Sequence, residues 1–229
     1  METLLPVDIK KAVKQCQTEG IVLLSYVINP PFLKKLVAEV ESGPYELAKD
    51  SPALVKQQFS RYAFLRRPVV GMPYLRRLQL AIQALLRSAH SVCPALASWR
   101  ALDIVVQKYA KDGGLGGHRD LSRHPLIIAS FTLTGRCRFE LLADRQGPVL
   151  ETLQPYPGDL VLLRAQGLRE PHDSALENDP CVVGDFLADD DRPFHRVSGA
   201  ITATPRVSVT FRDNLQPDKP ITGFSYTNV

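Results

Sequence analysis

The sequence predicts an α+β fold in which an N-terminal helical extension precedes a double-stranded β-helix, or jelly roll. Three observations predict it. Apolar residues recur at three- and four-residue spacing only in the first half. The second half breaks into short β-branched and apolar runs separated by Gly and Pro turns, with no helical pattern between them. That half is about 110 residues long, the size of a jelly roll. Residues 1–100 are therefore read as the helical extension, which also supplies a candidate substrate lid, and residues 101–229 as the core.

In chain order, Pro6 and Asp8 precede a short amphipathic stretch from Ile9 to Cys16. Ile21 to Leu24 is a short buried strand candidate. Asn29-Pro30-Pro31 opens a helix running to Glu41, with prolines where a missing N–H costs little. From Met72 to Val92, Leu75, Leu78, Ile82, Leu85 and Leu86 make one helical stripe with arginines between them. Strand-like runs follow at Asp103–Tyr109, Leu126–Leu133, Arg138–Leu142, Val149–Leu153, Leu160–Leu163, Arg196–Thr202 and Arg206–Phe211. Gly135, Gln146-Gly147-Pro148, Pro155 to Gly158 and Thr204-Pro205 separate them.

Composition narrows the class without naming a function. Hydrophobic content of 45% and charged content of 23% suit a globular chain. No apolar run reaches the ~18 residues of a membrane span, and Ile21–Ile28 is too short for a signal peptide. Cys16, Cys93, Cys137 and Cys181 form no CxxC pair, as expected of free thiols in a reducing compartment; the cytoplasm is the expected location. Net charge is +4, compatible with a nucleic-acid or a small-molecule substrate. The charge is unevenly spread: seven basic residues and one acidic lie between Lys49 and Arg77, eight acidic and three basic between Arg164 and Arg192.

The chemistry starts from His118 and Asp120. Two residues apart on an extended segment, their side chains leave the same face. Alone, an HxD pair is weak evidence. His195 opens a late strand, and eleven residues on comes Arg206-Val207-Ser208-Val209-Thr210-Phe211-Arg212. There Val207, Val209 and Phe211 share one strand face, while Arg206, Ser208, Thr210 and Arg212 share the other. Two guanidiniums and two hydroxyls in a row are costly to bury unless an anion meets them. A dicarboxylate would, because arginine grips a carboxylate through two parallel hydrogen bonds. Gln107 and Tyr109 alternate on the strand before the HxD and can donate to the same ligand. Two histidines and one carboxylate form the facial triad of non-haem iron(II), with three positions open for a 2-oxo acid and O₂.

Gln107-x-Tyr109, nine residues before His118-x-Asp120, then His195, then Arg206-x-Ser208-x-Thr210-Phe211-Arg212, resembles the signature of the AlkB-like iron(II)- and 2-oxoglutarate-dependent oxygenases. The resemblance covers roughly Leu102 to Asn214. It implies iron on His118, Asp120 and His195, and 2-oxoglutarate on Tyr109 and Arg206, with Arg212 near its metal-side carboxylate. Gln107 and Ser208 stand where repair enzymes usually carry Asn, and both can still hydrogen-bond. The implied activity is oxidation of a substrate C–H coupled to conversion of 2-oxoglutarate to succinate and CO₂. A nucleic-acid base is the leading substrate; a small metabolite or protein side chain is the alternative.

Other motifs carry less. His118-Arg119-Asp120-Leu121 matches a kinase HRDL, but position 125 is Pro where a kinase needs Asn. The Gly113–Gly117 cluster lacks the Lys-Ser/Thr of a P-loop. His90 reads as a helix-end histidine, and His172 is the rival of His195 as a ligand. Phe59 to Arg67 interleaves aromatic and basic residues, either as a base-stacking lid or as an amphipathic strand whose aromatics face the core. Arg61, Tyr62, Phe64, Arg119 and His124 are the candidate substrate residues. The long acidic segment 167–193 has the length of a lid, and its charge would repel a phosphate backbone.

Overall fold

The computed structural model describes residues 2–49, 55–65, 69–168, 190 and 192–216. The elements, in chain order, are α1 (Ile9–Glu19), β1 (Ile21–Leu24), α2 (Pro30–Glu41), β2 (Glu46–Leu47), β3 (Gln57–Gln58), β4 (Ser60–Leu65), α3 (Pro73–Arg87), a 3₁₀ turn (Pro94–Ser98), β5 (Asp103–Tyr109), β6 (Gly114–His118), β7 (Ile127–Thr134), β8 (Phe139–Leu142), β9 (Val149–Leu153), β10 (Leu160–Arg164), β11 (Phe194–Ser198) and β12 (Arg206–Arg212).

The helices start and stop where local chemistry dictates. Asp8 caps α1 by accepting the Lys11 N–H at 3.0 Å, and Gly20 closes it at φ +85°, donating to the Cys16 carbonyl. Helix α3 begins at Pro73 without a cap of its own. Glu39 of α2 supplies one, accepting the Tyr74 and Leu75 N–H groups at 3.0 and 2.7 Å.

Two antiparallel sheets make the core. The larger runs β1-β10-β7-β12-β5-β4-β2 and the smaller β3-β6-β11-β8-β9. Helices α1, α2 and α3 cover the outer face of the larger sheet. Between them lies a large apolar cluster including Val13, Phe32, Leu36, Leu75, Leu78, Ile82, Trp99, Phe131, Val209 and Phe211. A smaller cluster, including Ile21, Phe59, Tyr109, Ile128, Phe139, Val161 and Val197, fills the space between the two sheets.

The jelly roll is as expected, but the first hundred residues are not only helical. Strands β1, β2 and β4 pair into the larger sheet and β3 into the smaller, so sheet pairing crosses residue 100. Helix α3 ends at Arg87, before the expected Val92, because Ser88 to Cys93 turn back through short-range backbone bonds. Strand β11 begins at Phe194 and ends at Ser198, earlier than expected, which puts His195 inside the strand. Strand β6 was not anticipated from its Gly-Leu-Gly-Gly-His sequence. Its glycines answer close backbone approach: a Cβ on Gly117 would stand 2.1 Å from the Arg145 carbonyl oxygen, and one on Gly114 3.1 Å from that of Val197.

Cys16, Cys93 and Cys137 are buried free thiols, and burial pushes Cys16 up to about 12. Cys181 lies outside the described residues. No helix among them is long and apolar enough to cross a membrane.

Candidate metal centre

His118 ends β6, and His195 faces it directly across the β6–β11 pair. Asp120 follows two residues after His118, and ligand atoms from the three side chains all lie within 4.8 Å of one another. Each imidazole is oriented through its far nitrogen. His118 Nδ1 is 2.8 Å from the Gly116 carbonyl, and His195 Nδ1 is 3.2 Å from that of Pro193. A carbonyl only accepts, so both Nδ1 atoms carry the proton and both Nε2 lone pairs remain to bind a cation. His195 Nε2 lies 3.4 Å from Asp120 Oδ2. Phe139 stacks on the His195 ring at 5.3 Å and 4°, which fixes its plane.

The electrostatics suit a divalent cation. Burial depresses the basicity of both imidazoles, taking His195 down to about 3, so they are neutral ligands. Burial works against ionisation of Asp120, but nearby positive charge, the Arg212 guanidinium foremost, outweighs it and holds the carboxyl below the usual carboxylate range. Arg212 Nε donates to Asp120 Oδ1 at 3.0 Å. Arg212, expected beside a cofactor carboxylate, is thus paired with a metal-ligand candidate. Two neutral nitrogens and one carboxylate fit the donor set of non-haem iron(II).

Beside the triad a narrow inner chamber of about 30 Å³ reaches down between the sheets. Tyr109, Ser130, Arg206 and Thr210 line it, with Gln107, His118, Asp120 and Arg212 at its mouth. Arg206 is only 2% exposed, and its Nε has no hydrogen-bond partner. Among the described residues no carboxylate pairs with it. Its guanidinium lies 5.2 Å from the Tyr109 ring and hydrogen-bonds the Tyr109 hydroxyl. Burial raises the Tyr109 phenol above its ordinary range. Ser208 is fully buried on the same strand face, and its Oγ also lacks a partner. A buried cation and hydroxyl left short of partners on one strand face are what a carboxylate ligand would complete.

An outer cleft of about 530 Å³ opens in front of the triad. Arg61, Gln107, Arg119 and His124 line it, as the sequence suggested for substrate or cofactor contacts. His124 Nδ1 is 3.0 Å from the Asp213 carbonyl, and burial takes the ring down to about 4, so it is neutral. Tyr62 and Phe64 do not join them. Strand alternation turns both toward the helices: the Tyr62 hydroxyl donates to the Val40 carbonyl at 3.1 Å, and Phe64 packs on the apolar cluster there. Tyr62 is a core residue and Phe64 is half-buried against that core, and neither is among the described residues lining the cleft.

Phe59, the first residue of the aromatic–basic stretch, packs 4.9 Å from Tyr109, while sequence reasoning named no site role for Arg145, Asp190, Arg192 or Phe194, which also line the cleft. Asp190 bridges Arg119 and Arg192 at 2.9 and 2.7 Å, and Arg192 donates to the Asp120 carbonyl. Arginine–acid runs around a loop carry no periodic signal, so the sequence marked the 167–193 segment as a whole but not these residues. His172 and most of the acidic segment lie outside the described residues. His90 is a helix-end histidine, its Nδ1 on the Arg87 carbonyl at 3.0 Å.

The architecture matches solved structures closely enough to fix the fold. A Pseudomonas putida prolyl-4-hydroxylase aligns at a TM-score of 0.63 and 14% identity, over 90% of this chain and 98% of that one. The fold is the jelly roll that these structures share. A Trichoplax adhaerens prolyl hydroxylase, solved with a hypoxia-inducible-factor peptide fragment, aligns at 0.60 and 13%, over 91% and 92% of the two chains. The non-haem α-ketoglutarate-dependent epimerase SnoN of nogalamycin biosynthesis aligns at 0.60 and 14%, over 90% and 83%. No family model and no curated protein matches the chain.

Proposed function

We propose that this protein is an iron(II)- and 2-oxoglutarate-dependent oxygenase that oxidises a substrate C–H. The observation that carries this reading is the pairing of a His-Asp-His cluster with His195 buried and His118 and Asp120 half-buried, both Nε2 atoms presented, with the buried Arg206 one chamber away. When bound, iron(II) with 2-oxoglutarate supplies the oxidising power, drawn from O₂ and released with succinate and CO₂.

The chain's own residues account for binding and orientation. His118, Asp120 and His195 hold the cation, with the Gly116 and Pro193 carbonyls fixing the tautomers. Arg212 keeps Asp120 ionised and turns Oδ2 toward His195. Arg206 binds the distal carboxylate of 2-oxoglutarate, with Tyr109 and Ser208 as hydrogen-bonding neighbours. Gln107, at the mouth shared by both chambers, orients the cofactor toward the cleft. Ile128, Phe139, Val161 and Leu163 exclude water around it.

Within this reaction class, the AlkB-like resemblance favours a nucleic-acid base. The placement of Tyr62 and Phe64 weighs the other way, because Tyr62 is buried and Phe64 half-buried against the helices rather than lining the cleft. The better supported substrate is a small molecule or side chain that enters the outer cleft. Succinate formation from 2-oxoglutarate with iron(II), measured by mass spectrometry, tests the reaction class. It is expected in the wild type and lost in His118→Ala; equal turnover in both would overturn it.

A further inference from the structure

His124 is a third imidazole held in the same way as the two histidines of the metal cluster. His118, His195 and His124 each set Nδ1 against a backbone carbonyl, those of Gly116, Pro193 and Asp213, at 2.8, 3.2 and 3.0 Å. A carbonyl only accepts, so His124 also carries its proton on Nδ1 and presents a lone pair on Nε2. Yet His124 stands outside the cluster of candidate ligands. Its lone pair is left over once the metal is accounted for.

The position of this ring is built from both sides. Asp103 Oδ2 stands 3.8 Å from the same Nδ1 and itself accepts from Asn214 Nδ2 at 2.8 Å. The His124 N–H donates to the Leu121 carbonyl at 3.0 Å, and the Leu215 N–H reaches back to the Arg123 carbonyl at 2.9 Å. The segment after Asp120 is thereby tied to the chain that leaves β12, and the ring is only 4% exposed. All of these contacts are complete at Nδ1 or on the backbone. Among the described residues Nε2 has no partner, and it is not one of the sealed polar atoms that lack one. Of the two chambers the ring lines only the outer cleft, together with Asp120.

Burial, with the Arg212 charge nearby, takes the ring down to about 4, so it faces the cleft as a neutral acceptor. 2-Oxoglutarate is a dianion at neutral pH and carries acceptors only, so the cofactor is not the donor that this nitrogen meets. Water can serve while the cleft is empty, but a substrate that displaces it must replace its hydrogen bond. A cleft of about 530 Å³ has the size of a small-molecule site. We infer that His124 is a substrate-recognition residue, whose Nε2 accepts from an O–H or N–H of the substrate and so turns a neighbouring C–H toward the metal centre. This rests on the oxygenase reading for the direction of the C–H, but not for the hydrogen bond itself.

The test is nitrogen NMR of histidine-labelled protein loaded with 2-oxoglutarate and zinc(II), a diamagnetic substitute for iron(II). Benzyl alcohol and benzamide serve as the O–H and N–H donors. Benzyl methyl ether and N,N-dimethylbenzamide are the same frames without a donor hydrogen. At least one donor should move the His124 Nε2 resonance upfield, as an accepting lone pair does, and its methylated counterpart should not. By titration that donor should bind about five-fold more tightly than its counterpart, the worth of one neutral hydrogen bond. The donor with the larger preference tells O–H from N–H recognition. His124→Asn keeps an amide at the Nδ1 position and nothing at Nε2; it should melt close to the wild type and lose the preference. His124→Gln, whose amide reaches the Nε2 position, should keep part of it. An Nε2 resonance indifferent to both donors would overturn the inference, as would a preference that survives in His124→Asn. Failure of zinc(II) and 2-oxoglutarate to load would count against the oxygenase reading instead, and the same donors titrated into the metal-free protein would still test the acceptor.

Discussion

The two faces of the seven-stranded sheet are built from the same strands and do opposite work. Along β12, Val207, Val209 and Phe211 meet the helices while Arg206, Ser208, Thr210 and Arg212 meet the space between the sheets. Along β5 the split is Ile104 and Val106 against Gln107 and Tyr109, and along β4 it is Tyr62 and Phe64 against Arg61 and Leu65. One face is a dry core whose worth is stability. The other buries charge and hydroxyls, among them the Arg206 Nε and Ser208 Oγ without partners, beside the His-Asp-His cluster. The period of two that a strand imposes lets one sheet serve both purposes.

Neighbouring residues of β12 make the sharpest test. Phe211→Ala removes a fully buried ring that meets Phe131 edge-on at 6.1 Å. It should cost about 3–5 kcal/mol, read as a lowered urea midpoint. Arg206→Met, on the opposite face, replaces a buried cation lacking a carboxylate by an apolar chain of similar reach. It should change stability by no more than about 1 kcal/mol, or raise it. Comparable losses in both variants would break the division of labour.

Acid should distinguish the faces next. In the fold, His124 and His195 are taken down to about 4 and about 3 by burial, against 6.5 when free. The unfolded chain therefore binds protons first as pH falls, so stability is full above 6.5 and declines through the window from 6.5 toward 4. The metal-free protein should lose on the order of 5 °C in melting temperature between pH 7 and pH 5. His124→Gln should flatten part of that slope; an unchanged slope would remove His124 from the account.

The smallest effect belongs to Ser208. Ser208→Ala deletes a buried hydroxyl without a partner and should leave stability within about 1 kcal/mol of the wild type. If the hydroxyl serves the cofactor, 2-oxoglutarate should bind the variant a few-fold more weakly by calorimetry. Unchanged affinity would confine Ser208 to a packing role.

The same alternation explains what the sequence disclosed. Both faces of β12 and β5 were readable because each carries one chemistry at period two. The triad was readable because His118 and Asp120 are neighbours on one extended segment and His195 begins an identifiable strand. Strand β6 was hidden by glycines that are there for close backbone approach rather than propensity. Strand β1 was readable at its observed bounds, and β4 falls inside the stretch offered as an amphipathic strand; β2 and β3 were obscured because each is only two residues long. Tyr62 and Phe64 were ambiguous since alternation says that they share a face but not which one. Only pairing with Val106 and Ile104 decides it. The Arg119–Asp190–Arg192 bridge spans more than seventy positions, and no local pattern encodes it.

The most direct test of the central claim is stepwise calorimetry under nitrogen, with iron(II) titrated first and 2-oxoglutarate second. The account predicts one iron(II) per wild-type chain, then 2-oxoglutarate binding only after the metal. His118→Ala should lose the metal, whereas Arg206→Met should keep it and bind 2-oxoglutarate at least about 100-fold more weakly, since a buried bidentate ion pair is lost. Iron(II) binding that survives His118→Ala, or 2-oxoglutarate binding indifferent to Arg206, would contradict it.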